Sequence, residues 1–177
     1  ILKKLNNHSQ RKHKQKTKLM KLPNSPKTIV IISLIIFAIS LTKTAFTFND
    51  LEGLNKFSSL MALFIGSTAI LGGGLFEWIV WLANPLYFIS IMLFLKGKEY
   101  AKKLSLLATI LALSFSFWTK ILASESGREE RIIEKNSGYF LWLLSIIVLT
   151  IGINFCMKTV KPNIEPTEKN INSDENA

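Results

Sequence analysis

The apolar stretches of this chain hold almost no material for side-chain chemistry. Its two histidines, His8 and His13, both lie in a polar stretch ahead of the first hydrophobic run, so a histidine-based site within the apolar segments is excluded. There is one cysteine, Cys156, which removes any intramolecular disulfide and any cysteine metal site. Glu77 is the one acid inside a hydrophobic segment. No two carboxylates share such a segment, and no nucleophile, base and acid occur together there. The triple glycine Gly72-Gly73-Gly74 is not followed by Lys-Ser or Lys-Thr, so it is a helix break rather than a phosphate loop. These absences lead to the expectation of a protein that is not an enzyme and carries no cofactor and no metal.

What the chain has is hydrophobic length. Of 177 residues 49% are hydrophobic and mean hydropathy is positive, which leaves too little polar sequence for a soluble domain larger than a loop. The expectation is an all-α fold, a polytopic membrane helical bundle built from five hydrophobic segments at about 28–48, 58–73, 75–96, 104–122 and 138–157. A basic cytoplasmic tail, 1–27, precedes it, and a disordered tail, 158–177, follows. The first apolar run, Ile29 to Leu41, makes about 20 Å of helix and is too short for a core of roughly 30 Å, so it is continued to Phe48. That places Lys43 inside the span, near its end, where the ammonium snorkels to the headgroups. Cleavage of a signal peptide after Ala45 is the rival reading, and it would put Lys43 where a small residue is wanted.

The net charge of +10 is concentrated at one end. Nine of the 22 Lys and Arg precede Thr28: Lys3, Lys4, Arg11, Lys12, Lys14, Lys16, Lys18, Lys21 and Lys27. No aromatic residue interleaves them, so the arm reads as a flank held by an anionic leaflet and not as a nucleic-acid arm. Met20-Lys21-Leu22-Pro23 looks like an ordinary start ahead of a first membrane helix, with residues 1–19 as upstream sequence.

The chain is organised around GGGLFEWIVWLANPLYFISIMLFLKG, Gly72 to Gly97. Glycine lets a helix end and Pro85 removes a backbone donor, so a membrane helix must break or kink here, and protein or water must satisfy the freed groups. If Ser58 to Leu95 crosses once net, the basic residues divide into 16 inside and 5 outside, with Lys120 set aside within a span. The positive-inside rule prefers that arrangement: four full crossings plus one short re-entrant or tilted helix at Ser58 to Gly73. It also brings Trp78, Trp81, Trp118 and Trp142 to one level, as an aromatic belt at the outer boundary. The N-terminus, the Lys96 to Lys103 loop and the tail are then inside, with Asn49 to Phe57 and Ser124 to Ser137 outside.

GGGLFEWIVWLANPLYF together with SGYFLWLLS at the start of the last segment resembles a group of small, uncharacterised bacterial inner-membrane proteins. The resemblance covers roughly Ile29 to Met157 and is carried most specifically by Trp81-Leu82-Ala83-Asn84-Pro85 and Gly138-Tyr139-Phe140-Leu141-Trp142-Leu143. It implies multi-pass location in the inner membrane and nothing about chemistry. Thr44 stands before Ala45-Phe46 where that group often has proline.

Two classes of function fit. One is a non-catalytic interaction, accessory or assembly protein, whose partners are the lipid bilayer and another membrane protein or a second copy, with no nucleic acid. The other is a transporter or channel subunit that uses the broken helix around Gly72 to Pro85. The residues of interest are Gly72, Gly73, Gly74, Glu77, Trp78, Trp81, Asn84, Pro85, Lys43 and Lys120. A carboxylate in an apolar segment is costly, so Glu77 is expected to pair with Lys120, or failing that with Lys43.

Overall fold

The computed structural model of the chain describes residues 25–50, 53–122 and 128–159. The arm expected to be upstream sequence lies outside the described residues, as does the tail expected to be disordered from residue 160 on; residues 158 and 159 continue the last helix instead. Helix α1, Pro26–Leu41, starts with proline at its first turn, where the missing N–H costs nothing. It stops where the Thr42 and Lys43 amides turn back onto Ile39 and Ser40. The chain then enters strand β1, Thr44–Asp50, which pairs antiparallel with β2, Gly53–Ser58. Phe46 stands opposite Phe57 across this hairpin, and their rings stack with centroids 5.1 Å apart.

Ser58 ends β2 and also caps helix α2, Ser59–Thr68, its hydroxyl accepting the Met61 amide at 3.1 Å. A short 3₁₀ turn, Ala69–Gly72, follows. Gly73 takes the left-handed conformation at φ 87°, its amide bonds to the Ile70 carbonyl, and the Gly74 amide bonds to the Ala69 carbonyl at 2.8 Å. This is a Schellman closure, and it needs Gly at the left-handed position. Helices α3, Leu75–Trp81, and α4, Ala83–Leu95, then follow each other across Leu82 as one apolar stretch of 21 residues. Helix α5, Tyr100–Ser114, continues as a 3₁₀ turn, Phe115–Phe117, into β3, Lys120–Leu122. Strand β4, Glu129–Lys135, leads into α6, Ser137–Thr159.

The four strands of the described residues form one antiparallel sheet in the order β2-β1-β4-β3. Because β1 leaves α1 and β4 enters α6, their pairing brings the end of α1 beside the start of α6, and the two helices then run antiparallel along each other. The sheet therefore roofs one end of the helices, while the α4 to α5 turn, with Gly97 at φ 67°, lies at the other. Among the described residues, three helices are long and apolar enough to cross a membrane: Leu75–Leu95, Tyr100–Phe117 and Ser137–Met157. Pro26–Leu41 and Ser59–Gly72 are shorter apolar helices.

The expectation of an all-α bundle with five spanning or re-entrant segments is thus corrected. Residues 44–48, assigned to the first span to make up its length, are strand, and so are residues 120–122 at the end of the fourth segment. The physical reason is local: F-T-F in β1 and K-I-L in β3 find backbone partners in each other's neighbours, which satisfies their amides without helix. Two loops expected to be separate are instead the sheet. They do lie at one common end, opposite Lys96 to Lys103.

Inside, the helices pack through small residues. Ala101, Ser105, Ala108 and Ala112 form a fully buried ridge on α5, which is the close approach that small residues at this spacing permit. Hydroxyls face inward and find partners. Tyr87 Oη donates to Ser33 Oγ at 2.6 Å, and Ser33 Oγ donates to the Ser145 carbonyl at 2.8 Å, which links α4, α1 and α6. Thr109 and Thr150 bond across α5 and α6 at 2.9 Å.

Candidate functional site

The site is the kink at Asn84-Pro85 and the space above it. In a continuous helix the Trp81 carbonyl would accept from residue 85, but proline has no amide hydrogen to give. Asn84 Nδ2 donates to that carbonyl instead, at 3.0 Å. Asn84 Oδ1 in turn accepts from Trp142 Nε1 of α6 at 2.8 Å, and Trp81 Nε1 donates to the Leu63 carbonyl of α2 at 2.7 Å. A buried amide thus fills a gap made by its neighbour and joins three elements. The freed backbone group is satisfied by protein, one of the two ways the sequence required.

Gly66 lets α2 approach this kink closely, since a Cβ there would lie 2.6 Å from the Trp81 ring. The expected residues divide accordingly. Trp81, Asn84 and Pro85 form the kink; Gly73 and Gly74 form the closure above it, with Gly72 ending the 3₁₀ turn. Trp78 is half-buried on α3. Trp118 packs edge-on to Phe76 at 6.5 Å. All four tryptophans lie toward the sheet end of their helices, but Trp81 and Trp142 spend their N–H groups inward and are not boundary anchors alone.

The expected pairing of Glu77 is not found. Glu77 Oε1 accepts from the backbone amide of Leu122 in β3 at 3.0 Å. Lys120 pairs with Glu129 at 3.1 Å, both side chains being well exposed, and Lys43 is exposed in the turn between α1 and β1. The reason is that neither lysine lies within a helix: the chain has already become sheet or turn at both positions. Glu77 meets a backbone donor because β3 ends directly over it, as a tie between α3 and the sheet.

Between the sheet, α2 and the kink lies a cavity of about 330 Å³. Its walls are largely aromatic and aliphatic, with Phe46, Phe57, Trp81, Phe115 and Trp142 among them. Glu77 lines it, and among the described residues no lysine or arginine does. Ser59 also lines it, and is 6% exposed; its Oγ has no hydrogen-bond partner among the described residues. Neither Ser59 nor the cavity was foreseen, because the cavity's roof is the sheet. Among the described residues no group of three or more His, Cys, Asp and Glu is placed to hold a metal. Comparison with protein-family models, curated proteins and solved structures finds no match.

Proposed function

We propose that this chain is a multi-pass membrane protein whose role is non-catalytic, and that it docks another membrane component on its sheet end. The membrane part of this reading is supported by three helices of spanning length and by what they turn outward. Ile110, Leu113, Leu144, Ile151, Phe155, Phe88 and Met92 are all exposed, while the hydroxyls lie inside. Apolar side chains turned outward with polar groups turned inward suit lipid as the surrounding medium. We place it in the bacterial inner membrane, with the Lys96 to Lys103 turn on the cytoplasmic side.

The single observation that supports docking is the sheet itself. Two segments some 80 residues apart in sequence fold together at one end, and they display apolar side chains, Leu54 and Ile133, there. Short connections would suffice for a simple anchor. A transporter would use the carbonyl that Pro85 frees as a ligand for its cargo, and here Asn84 occupies it, so we favour docking.

The test is carbonate extraction followed by photo-crosslinking in native membranes. The chain should stay with the membrane pellet. A photo-activatable side chain at Leu54 or Ile133 should give discrete adducts, and one at Tyr100 should not. Release by carbonate, adducts at Tyr100 alone, or solute flux through liposomes holding the purified chain would overturn the reading.

A further inference from the structure

The cavity beneath the sheet has a chemistry of its own, separate from the outer sheet surface on which the reading above rests. Its walls are apolar, and at about 330 Å³ it sits at the small end of ligand pockets, which run roughly 300–1,000 Å³. That is room for one apolar chain and too little for two. One polar atom of its lining is free to meet a ligand, Glu77 Oε2: Oε1 is taken by the Leu122 amide, and Oε2 has no bonded partner among the described residues.

The carboxylate also has no counter-ion in the lining. Of the cations on the neighbouring strands, Lys120 is held by Glu129, and Lys135 donates to the Trp118 carbonyl at 2.7 Å with its ammonium 5.8 Å from the Phe115 ring. A carboxylate among aromatic rings favours a cation, through charge-assisted hydrogen bonds and through the ring faces, and it repels an anion.

We propose that this cavity binds a single-chain amphiphile with a primary ammonium head. The chain lies against Phe46, Phe57, Phe115 and Trp142, and the ammonium donates to Glu77 Oε2. The shared chemistry is ammonium plus alkyl chain. The volume favours a free long-chain amine over an aminophospholipid, which would bring two chains and a phosphate.

Trp81 and Trp142 both line the cavity, so their fluorescence reports occupancy directly. The purified full chain, in a non-ionic detergent, is titrated with chain-brominated dodecylamine, dodecanol and dodecanoate, bromine being a contact quencher. A fourth titration uses a chain-brominated phosphatidylethanolamine. The amine should quench saturably with a Kd about tenfold below that of the alcohol, and dodecanoate should not saturate. Glu77→Gln keeps an oxygen for the Leu122 amide and should bring the amine to the alcohol's affinity while leaving the alcohol unchanged. Ala62→Phe, which fills the space, should abolish saturable quenching by both. Should Ala62→Phe fail to fold, the Glu77→Gln comparison decides alone. Equal quenching by all heads, an amine preference that survives Glu77→Gln, or a phospholipid that binds as tightly as the amine would each overturn the proposal.

Discussion

Trp142 Nε1 donates to Asn84 Oδ1 at 2.8 Å, and that bond joins the two stretches of sequence that stand out most, WLANP and GYFLWLL. Asn84 is 6% exposed and its other side-chain atom, Nδ2, serves the Trp81 carbonyl. One amide therefore answers both the break made by Pro85 and the indole of the last helix. The order of dependence is clear: proline creates the orphan, asparagine satisfies it, and tryptophan fixes the asparagine.

That order is testable with a thermodynamic cycle. Trp142→Phe leaves Asn84 Oδ1 buried without its donor and should cost about 1–3 kcal/mol. Asn84→Ala should cost as much or more in the parent, because it strands both the indole and the Trp81 carbonyl. In a Pro85→Ala background the residue-85 amide can take that carbonyl, and Asn84→Ala should then cost less. Thermal unfolding in detergent measures all of these, and equal costs in the two backgrounds would show that Asn84 does not stand in for the proline.

The Schellman closure makes a second prediction. Gly73 at φ 87° has open space where a Cβ would go, so Gly73→Ala pays for left-handed backbone alone, about 1–2 kcal/mol. Gly73→Asn should be milder, since Asn tolerates that region. Gly66→Ala should be worse than either, because its Cβ meets the Trp81 ring at 2.6 Å and must push α2 off the kink. Melting temperatures that rank Gly66→Ala as the mildest would contradict this packing.

Much of the helical layout could be read from hydropathy, and so could the break, since Gly73 and Pro85 have strong local effects on backbone whatever surrounds them. The small-residue ridge on α5 follows from spacing alone, since Ala101, Ser105, Ala108 and Ala112, three or four residues apart, share one helix face. The sheet was not so legible. β1 is short, its neighbour β4 lies some 80 residues away, and a membrane-length argument pulled residues 44–48 into the first span. The signal present in sequence was the alternation Thr44, Phe46, Phe48 running into Asn49-Asp50 and then Gly53, which is hairpin chemistry. Once the sheet was missed, the partner of Glu77 could not be found, because it is a backbone amide of a strand. Charge arithmetic looks for lysines and does not see an N–H.

The geometry at Glu77 gives a third prediction, separable by choice of substitution. Gln keeps an oxygen for the Leu122 amide and should leave stability near that of the parent. Ala removes the acceptor and should cost about 1–3 kcal/mol, loosening β3 from α3. Lys120→Gln, at an exposed pair, should stay within about 0.5 kcal/mol. Hydrogen exchange at the Leu122 amide should speed up in Glu77→Ala and hold in Lys120→Gln. Equal loss of stability in Glu77→Gln and Glu77→Ala would mean that the charge, and not the acceptor, matters there.

The sheet and the Lys96 to Lys103 turn should face opposite sides of the membrane. The argument needs only the three helices of spanning length: Leu75–Leu95 runs away from the sheet, Tyr100–Phe117 returns to it, and Ser137–Met157 leaves again. Each turn of direction places a known residue at a known end. Leu54 and Ile133 are exposed on the sheet, at 68% and 54%, and Tyr100 is exposed at the other end, at 66%. With Cys156 replaced by serine, single cysteines at those three positions can be probed in intact cells with an impermeant thiol reagent. Leu54→Cys and Ile133→Cys should label alike, because β2, which carries Leu54, and β4, which carries Ile133, both pair with β1 and cannot lie on different sides. Tyr100→Cys should label only after the membrane is opened. Labelling of all three in intact cells would mean that the helices do not span, and labelling of Leu54→Cys without Ile133→Cys would break the sheet itself.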